Sequence, residues 1–365
     1  MSLNLEVAPQ IRVLVVDDSA FMRTALARMI ASEPDVEVVA TACCASDAFE
    51  KIEALDPDVI TLDVEMPGLD GLGTLRRIMQ LFPRPVIMVS AVTEKDAVTT
   101  FAALSAGAFD YVPKQLSPTS LEIAHIRSDL MQKIYAAARA RKASAALARR
   151  KPASAVPQSH ESLSTAPAVV VLGTSTGGPK ALEEILPKFP RTLAVPILIV
   201  QHMPAGFTAP FAQRLNSMSS IVVREATSRE PIQPGVAYIA PAGRHTCILP
   251  RASDSQPIIS FSSYPETAQH TPSVDVLMKS AADLYKNQAL GVILTGMGSD
   301  GAAGMAEIFR QGGLTIGQDE ATCAVYGMPR ACAELGVLSR VVPLPEIPFQ
   351  IVQATTRCHA KSASV

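Results

Sequence analysis

The chain has 365 residues, 48 % of them hydrophobic and 18 % charged, long enough for two ordinary cores and too long for one typical domain. Its 32 basic and 34 acidic side chains leave a net charge of −2, so no bulk positive field favours nucleic acid. No apolar run approaches the roughly 18 residues of a membrane helix, and the N-terminal MSLNLEVAPQ lacks a basic-then-apolar leader pattern, so a protein that is not membrane-inserted and resides in the cytoplasm is expected. Six cysteines (Cys43, Cys44, Cys247, Cys323, Cys332, Cys358) form no CxxC pair, which argues against structural zinc.

Residues 11–130 alternate short β-branched runs with amphipathic stretches: IRVLVVDD, FMRTALARMIAS, VEVVATA, SDAFEKIEAL, DVITLDV, LGTLRRIMQLF, PVIMVSA, DAVTTFAALSAG, FDYVPK and SLEIAHIRSDLMQKI. These read as five βα units, and apolar runs without strict alternation suit strands covered on both faces of a parallel sheet. From about 139 to 167 the pattern gives way to Ala, Ser, Pro and basic residues, read as an extended last helix and a flexible linker. A second βα series starts at VVVLGTS. Its middle section, about 221–261, has short strands close together and reads as a β-hairpin excursion. The expected domains are therefore 1–130, a helical extension and linker over 131–167, and 168–365.

In the first half, Asp17 and Asp18 end the first strand, Asp63 the third, Ser90 the fourth and Lys114 the fifth. A parallel sheet brings these ends to one edge, where ligands of open α/β sheets bind. Clustered carboxylates repel one another unless a hard cation such as Mg²⁺ neutralises them, and a carboxylate beside Mg²⁺ can accept a phosphoryl group. Any one of these aspartates alone is about as well explained as a helix cap. All five residues arriving at successive strand ends are not.

In the second half, VVVLGTSTGGPKALEEIL reads as strand, turn, helix, with Gly173, Ser175 and Gly177 spaced as GxSxG. That spacing presents a serine on a sharp bend beside a helix N-terminus, where backbone N–H groups stabilise a developing anion. A glycine-rich capping turn is the plainer alternative. A base is then required. Of six histidines, His202 in QHMP follows the apolar run PILIV and emerges at a strand end, as does Asp300 in TGMGSDGAAG. For Asp300 the plainer role is capping the helix AAGMAEIF.

VLVVDDS, LDVEMPGLDG, VSA and DYVPK together resemble the receiver domain of two-component response regulators. The resemblance implies Asp63 as phosphoacceptor, Mg²⁺ on Asp17, Asp18, Asp63 and the Glu65 backbone carbonyl, Lys114 as counter-charge, and Ser90 with Tyr111 as the switch pair. Gln115 departs from the proline usual after that lysine. GTSTGGP, VQHMP, YIAP, PSVDVLMKSAA, LTGMGSDGA and DEATCAVYGMPR resemble the catalytic domain of chemotaxis protein-glutamate methylesterases. This implies Ser175 as nucleophile, His202 as base and acid, Asp300 as orienter, and the Met297 backbone N–H with Thr176 near the oxyanion, with no cofactor for the esterase step. Ala242 and Thr271 depart from a usual glycine and a common arginine. The implied substrates are methylated chemoreceptor cytoplasmic domains, the implied phosphodonor is the chemotaxis histidine kinase, and the receiver is expected to cover Ser175 until Asp63 is phosphorylated.

The fold class that follows is α/β, with two doubly wound parallel-sheet domains: an N-terminal flavodoxin-like receiver and a C-terminal Rossmann-like esterase domain carrying the hairpin. Two rivals differ in class. Gly296, Gly298 and Gly301 with Asp319 satisfy a dinucleotide-binding spacing, but Asp300 would aim a carboxylate at the pyrophosphate. A response regulator whose output only binds a partner would leave Ser175 as a cap.

Overall fold

A computed structural model describes residues 10–91, 93–114, 120–147, 165–251 and 256–356. The chain divides into two compact units, Met1–Ala153 and Ser154–Val365. The expected leader-free N-terminus, Gln115, most of the linker, His160 and His359 lie outside the described residues.

In the first unit, strands β1 (Ile11–Val16), β2 (Val36–Ala42), β3 (Val59–Asp63), β4 (Val86–Ser90) and β5 (Asp110–Pro113) alternate with helices α1 (Ala20–Ile30), α2 (Ala45–Leu55), α3 (Gly71–Leu81), α4 (Glu94–Ser105) and α5 (Ser120–Leu147). All pairings are parallel, in the order β2-β1-β3-β4-β5. Val13 to Val16 and Val86 to Met88 are fully buried because helices cover both faces. Helix α5 continues through residue 130: Leu130, Met131, Ile134, Ala137 and Ala138 sit in this unit's core. Arg141 then pairs with Asp58 at 3.0 Å and Asp56 at 2.9 Å. The first part of the expected extension is thus helix packed on the first unit.

The second unit contains β6 (Val169–Thr174), α6 (Gly178–Ile185), β7 (Ile197–Gln201), α7 (Thr208–Met218), β8 (Val222–Glu225), β9 (Val236–Ile239), β10 (His245–Pro250), β11 (Pro257–Ser262), α8 (Val274–Tyr285), β12 (Ala289–Ile293), α9 (Ala302–Arg310), β13 (Leu314–Gln318), α10 (Met328–Glu334), β14 (Arg340–Val342) and α11 (Ile347–Thr356). Seven strands form one parallel sheet in the order β14-β13-β12-β6-β7-β9-β8. The chain builds outward from β6 on one side, then returns to lay β12 on the other. That reversal makes the carboxyl end of β6 the topological switch point.

The hairpin is narrower than the strand spacing suggests. Among the described strands, β10 and β11 form the antiparallel pair, whereas β8 and β9 join the main sheet in parallel. Closely spaced strands imitate a hairpin, but residues 226–235 run back along the sheet, with Pro231 bridging Ile258 of β11. No described helix is long and apolar enough to cross a membrane.

Candidate active site and phosphoacceptor pocket

Strand β6 ends in the turn that carries Ser175. Gly177 has φ +76°, and a Cβ there would come within 2.5 Å of Ala324, so the bend requires glycine. Gly173 lets α8 approach: a Cβ would stand 2.2 Å from Val274 Cγ1. Ser175 donates its N–H to Thr295 O at 3.1 Å and accepts at its own carbonyl from Gly178 N at 2.8 Å. Thr295 Oγ1 donates to Thr176 O at 3.0 Å, stitching the serine turn to the loop after β12. That loop runs through Gly296 and Met297, and a Cβ on Gly296 would lie 3.0 Å from Ser175 Cβ.

His202 follows β7, the neighbour of β6. Its Nε2 lies 2.8 Å from Asp300 Oδ2, while its Nδ1 is buried with no hydrogen-bond partner. The two ring nitrogens therefore differ: the carboxylate accepts from Nε2–H, and Nδ1 keeps an unshared lone pair. Gln201, 2 % exposed, donates its side-chain amide to Ser175 O at 2.9 Å and His202 O at 3.0 Å. It holds both loops together.

Asp300 follows β12 on the other side of β6. It does not cap α9, whose N-cap is Gly301 at φ +96°. Instead it sits on the N-terminus of α8, accepting from Ser273 Oγ (2.8 Å), Val274 N (2.8 Å) and Asp275 N (3.0 Å). Burial alone would raise its pKa. The His202 hydrogen bond and charge, with the Asp275 and Val274 amides, outweigh this and hold the carboxyl far below the usual range. Asp300 is therefore ionised at any physiological pH. Ser175, His202 and Asp300 thus follow three adjacent strands at one sheet edge.

Sequence reasoning passed over Gln201, Ser273 and the stacking of His270 on His202, whose ring centroids are 4.0 Å apart at 23°. Ser273 carried a local signal, as an N-cap before Val274–Tyr285. Its contact with Asp300 is long-range and had none. His245 is 1 % exposed and points into structure, accepting from Ser273 N at 3.1 Å. The dinucleotide reading fails on the same geometry, because Asp300 occupies the loop and is fully engaged.

In the first unit, Asp17, Asp18 and Asp63 bring carboxylate oxygens within 4.8 Å of one another. Lys114 Nζ lies 2.6 Å from Asp63 and 3.1 Å from Asp17. Burial pushes the Asp63 carboxyl up to about 6, with Asp17 adding to the rise and Lys114 and the Glu65 amide opposing it. For Lys114, burial pulls the ammonium down, but Asp63 and Asp17 together raise it. Glu65 N donates to Asp63 Oδ1 at 3.1 Å, which sets residue 65 beside the cluster. All donors are hard oxygens around a compact space, which fits Mg²⁺. Ser90 is buried, accepting from Thr100 Oγ1 at 2.9 Å, and Tyr111 is buried with Lys133 over its ring at 5.3 Å.

The family model described as CheB methylesterase matches residues 170–351, and that of the response regulator receiver domain matches 13–125. The chain is 44 % identical to a protein-glutamate methylesterase/protein-glutamine glutaminase of Nitratidesulfovibrio vulgaris, covering 94 % of this chain and 98 % of that one. A counterpart from Geobacillus kaustophilus is also 44 % identical, with the same coverage of 94 % and 98 %. The crystal structure of the Thermotoga maritima CheB methylesterase catalytic domain aligns with TM-score 0.50 and 38 % identity, over 52 % of this chain and 99 % of that one. The chain therefore belongs to the protein-glutamate methylesterase/protein-glutamine glutaminase family, with a response regulator receiver domain ahead of a CheB methylesterase domain.

Proposed function

We propose that this chain is a phosphorylation-regulated serine esterase that hydrolyses glutamate γ-methyl esters on chemoreceptor cytoplasmic domains, releasing methanol, and deamidates receptor glutamines at the same site. The observation that carries the reading is the His202–Asp300 pair, held at 2.8 Å with Nδ1 left free, at the sheet edge beside the Ser175 turn.

In this mechanism Ser175 Oγ attacks the ester carbonyl carbon while His202 Nδ1 takes the hydroxyl proton. Asp300 stabilises the imidazolium through Nε2–H, as the carboxylate of a serine-hydrolase triad does, although the ring nitrogens are used in the opposite sense. The Met297 backbone N–H and the Thr176 turn serve the oxyanion. The imidazolium protonates the methoxide oxygen, methanol departs, and Ser175 carries the acyl group. His202 then deprotonates water, which attacks the acyl carbon and frees the glutamate carboxylate and the serine. A glutamine side chain follows the same route with ammonia as leaving group. Each step uses side chains and backbone of this chain, and the hydrolytic site takes no cofactor.

In the receiver, Asp63 is the phosphoacceptor, and Asp17, Asp18, Asp63 and the Glu65 carbonyl would hold Mg²⁺. The ion, when bound, neutralises charge on the transferring phosphoryl group. Lys114 balances the product, and Ser90 with Tyr111 reads it. The phosphodonor is the chemotaxis histidine kinase, and the protein works in the cytoplasm. Methanol and ammonia release from receptor membranes, carrying methylated glutamates in one preparation and glutamines in the other, tests the reading. Methanol release is the expected result. Failure with both substrates would overturn it.

A further inference from the structure

We infer that His245 and His270 act together as positioning residues for His202, with His270 fixing the plane of the imidazole and His245 fixing the segment that carries His270. The inference rests on the assignment of His202 as the base.

One hydrogen bond, Nε2 to Asp300, anchors a single corner of the His202 ring. It leaves the ring free to tilt about that corner, and a tilt moves Nδ1 away from Ser175. His270 removes that freedom by stacking on the ring, with centroids 4.0 Å apart and planes at 23°. A base held by one bond and one stacked face keeps the near-attack geometry on which proton transfer depends.

His270 lies within the segment from Pro265 to Ser273, and both ends of that segment are bound to the same buried side chain. His245 Nε2 lies 3.2 Å from Pro265 O, and its Nδ1 lies 3.1 Å from Ser273 N. A backbone N–H can only donate and a carbonyl can only accept, so these partners fix His245 as the neutral Nε2–H tautomer. The Gly243 N–H, two residues before His245, donates to Thr271 O at 3.2 Å, a third tie to the segment. Ser273, which His245 grips, also donates through Oγ to Asp300 Oδ1 at 2.8 Å. The two supports of His202, the carboxylate at Nε2 and the stacked ring, therefore converge on His245.

The test is steady-state methanol release by the full-length protein with phosphodonor and Mg²⁺, for His202→Ala, His270→Ala, His270→Phe and His245→Gln. His270→Ala should lower kcat by about tenfold with KM nearly unchanged, because a mis-set base weakens the transition state rather than substrate binding. His270→Phe retains a flat ring and should recover most of that loss. His245→Gln should cost less in the His270→Ala background than alone, as expected for residues acting through one another. A raised KM at constant kcat would make His270 a substrate contact and overturn the inference. So would failure of Phe to rescue, or strictly additive losses. Loss of activity in His202→Ala beside a wild-type His270→Ala sinks the positioning role alone, whereas an active His202→Ala sinks the underlying assignment.

Discussion

Asp300 and His202 stand 98 positions apart in the chain and meet at 2.8 Å, with the carboxylate bound at Nε2 and seated on the amides that begin helix α8. Because the folded carboxyl titrates below its unfolded value of about 3.9, the folded state binds that proton less tightly. The associated stability is fully present above the unfolded value and is lost as pH falls through the folded one. Asp300→Asn should therefore be less stable than the parent at pH 7, with the gap narrowing as pH drops below about 4. Denaturant unfolding at several pH values checks this; a gap that stays constant with pH would contradict it. The same variant should lose on the order of 10⁴ in kcat, as the Asp→Asn change in a catalytic triad does elsewhere.

Gln201 joins the loops after β6 and β7 through the Ser175 and His202 carbonyls. Gln201→Leu removes the side-chain donor from the His202 carbonyl and one of two donors from the Ser175 carbonyl, which keeps Gly178 N, so a stability loss of about 1–3 kcal/mol is expected. Activity should fall as well. Thermal unfolding and methanol release measure the two effects separately.

Much of this was legible in the chain. Strand-end residues such as Asp17, Asp63, Ser175 and His202 follow apolar runs whose direction fixes the sheet edge on which they emerge, so periodicity alone placed them. Asp300 was legible as a strand-end residue, but its seat on α8 depends on Gly173 and Gly301, whose absent side chains admit Val274. Local spacing does not encode that approach. Residues β8 and β9 misled for the opposite reason: ten residues without a helix imitate a hairpin although they connect parallel strands. His270 gave no local signal, since its partner lies 68 positions away and stacking has no sequence pattern.

Chelation separates the two units chemically. The oxygen cluster around Asp63 suits Mg²⁺, whereas the proposed hydrolytic steps run on Ser175, His202 and Asp300, with Met297 and Thr176 at the oxyanion. EDTA should block phosphorylation by acetyl phosphate and leave basal methanol release unchanged. Loss of basal hydrolysis would show that the serine site has been misassigned.

Regulation by the receiver predicts that a fragment of residues 168–365 is more active than the intact unphosphorylated protein. A tenfold difference would correspond to about 1.4 kcal/mol, within the roughly 1–3 kcal/mol usual for coupling between sites. Asp63→Asn should hold the intact protein at its basal rate with phosphodonor and Mg²⁺ present. Equal rates for fragment and intact protein, neither responding to phosphodonor, would remove the inhibitory role and leave the esterase assignment standing.

The central claim is that Ser175 forms the covalent bond, and its most direct measurement is methanol release from methylated receptor membranes by the parent protein and Ser175→Ala. The account predicts that Ser175→Ala loses methanol release essentially completely while Asp63 is still phosphorylated and the fold is unchanged. Substantial methanol release by Ser175→Ala would contradict it.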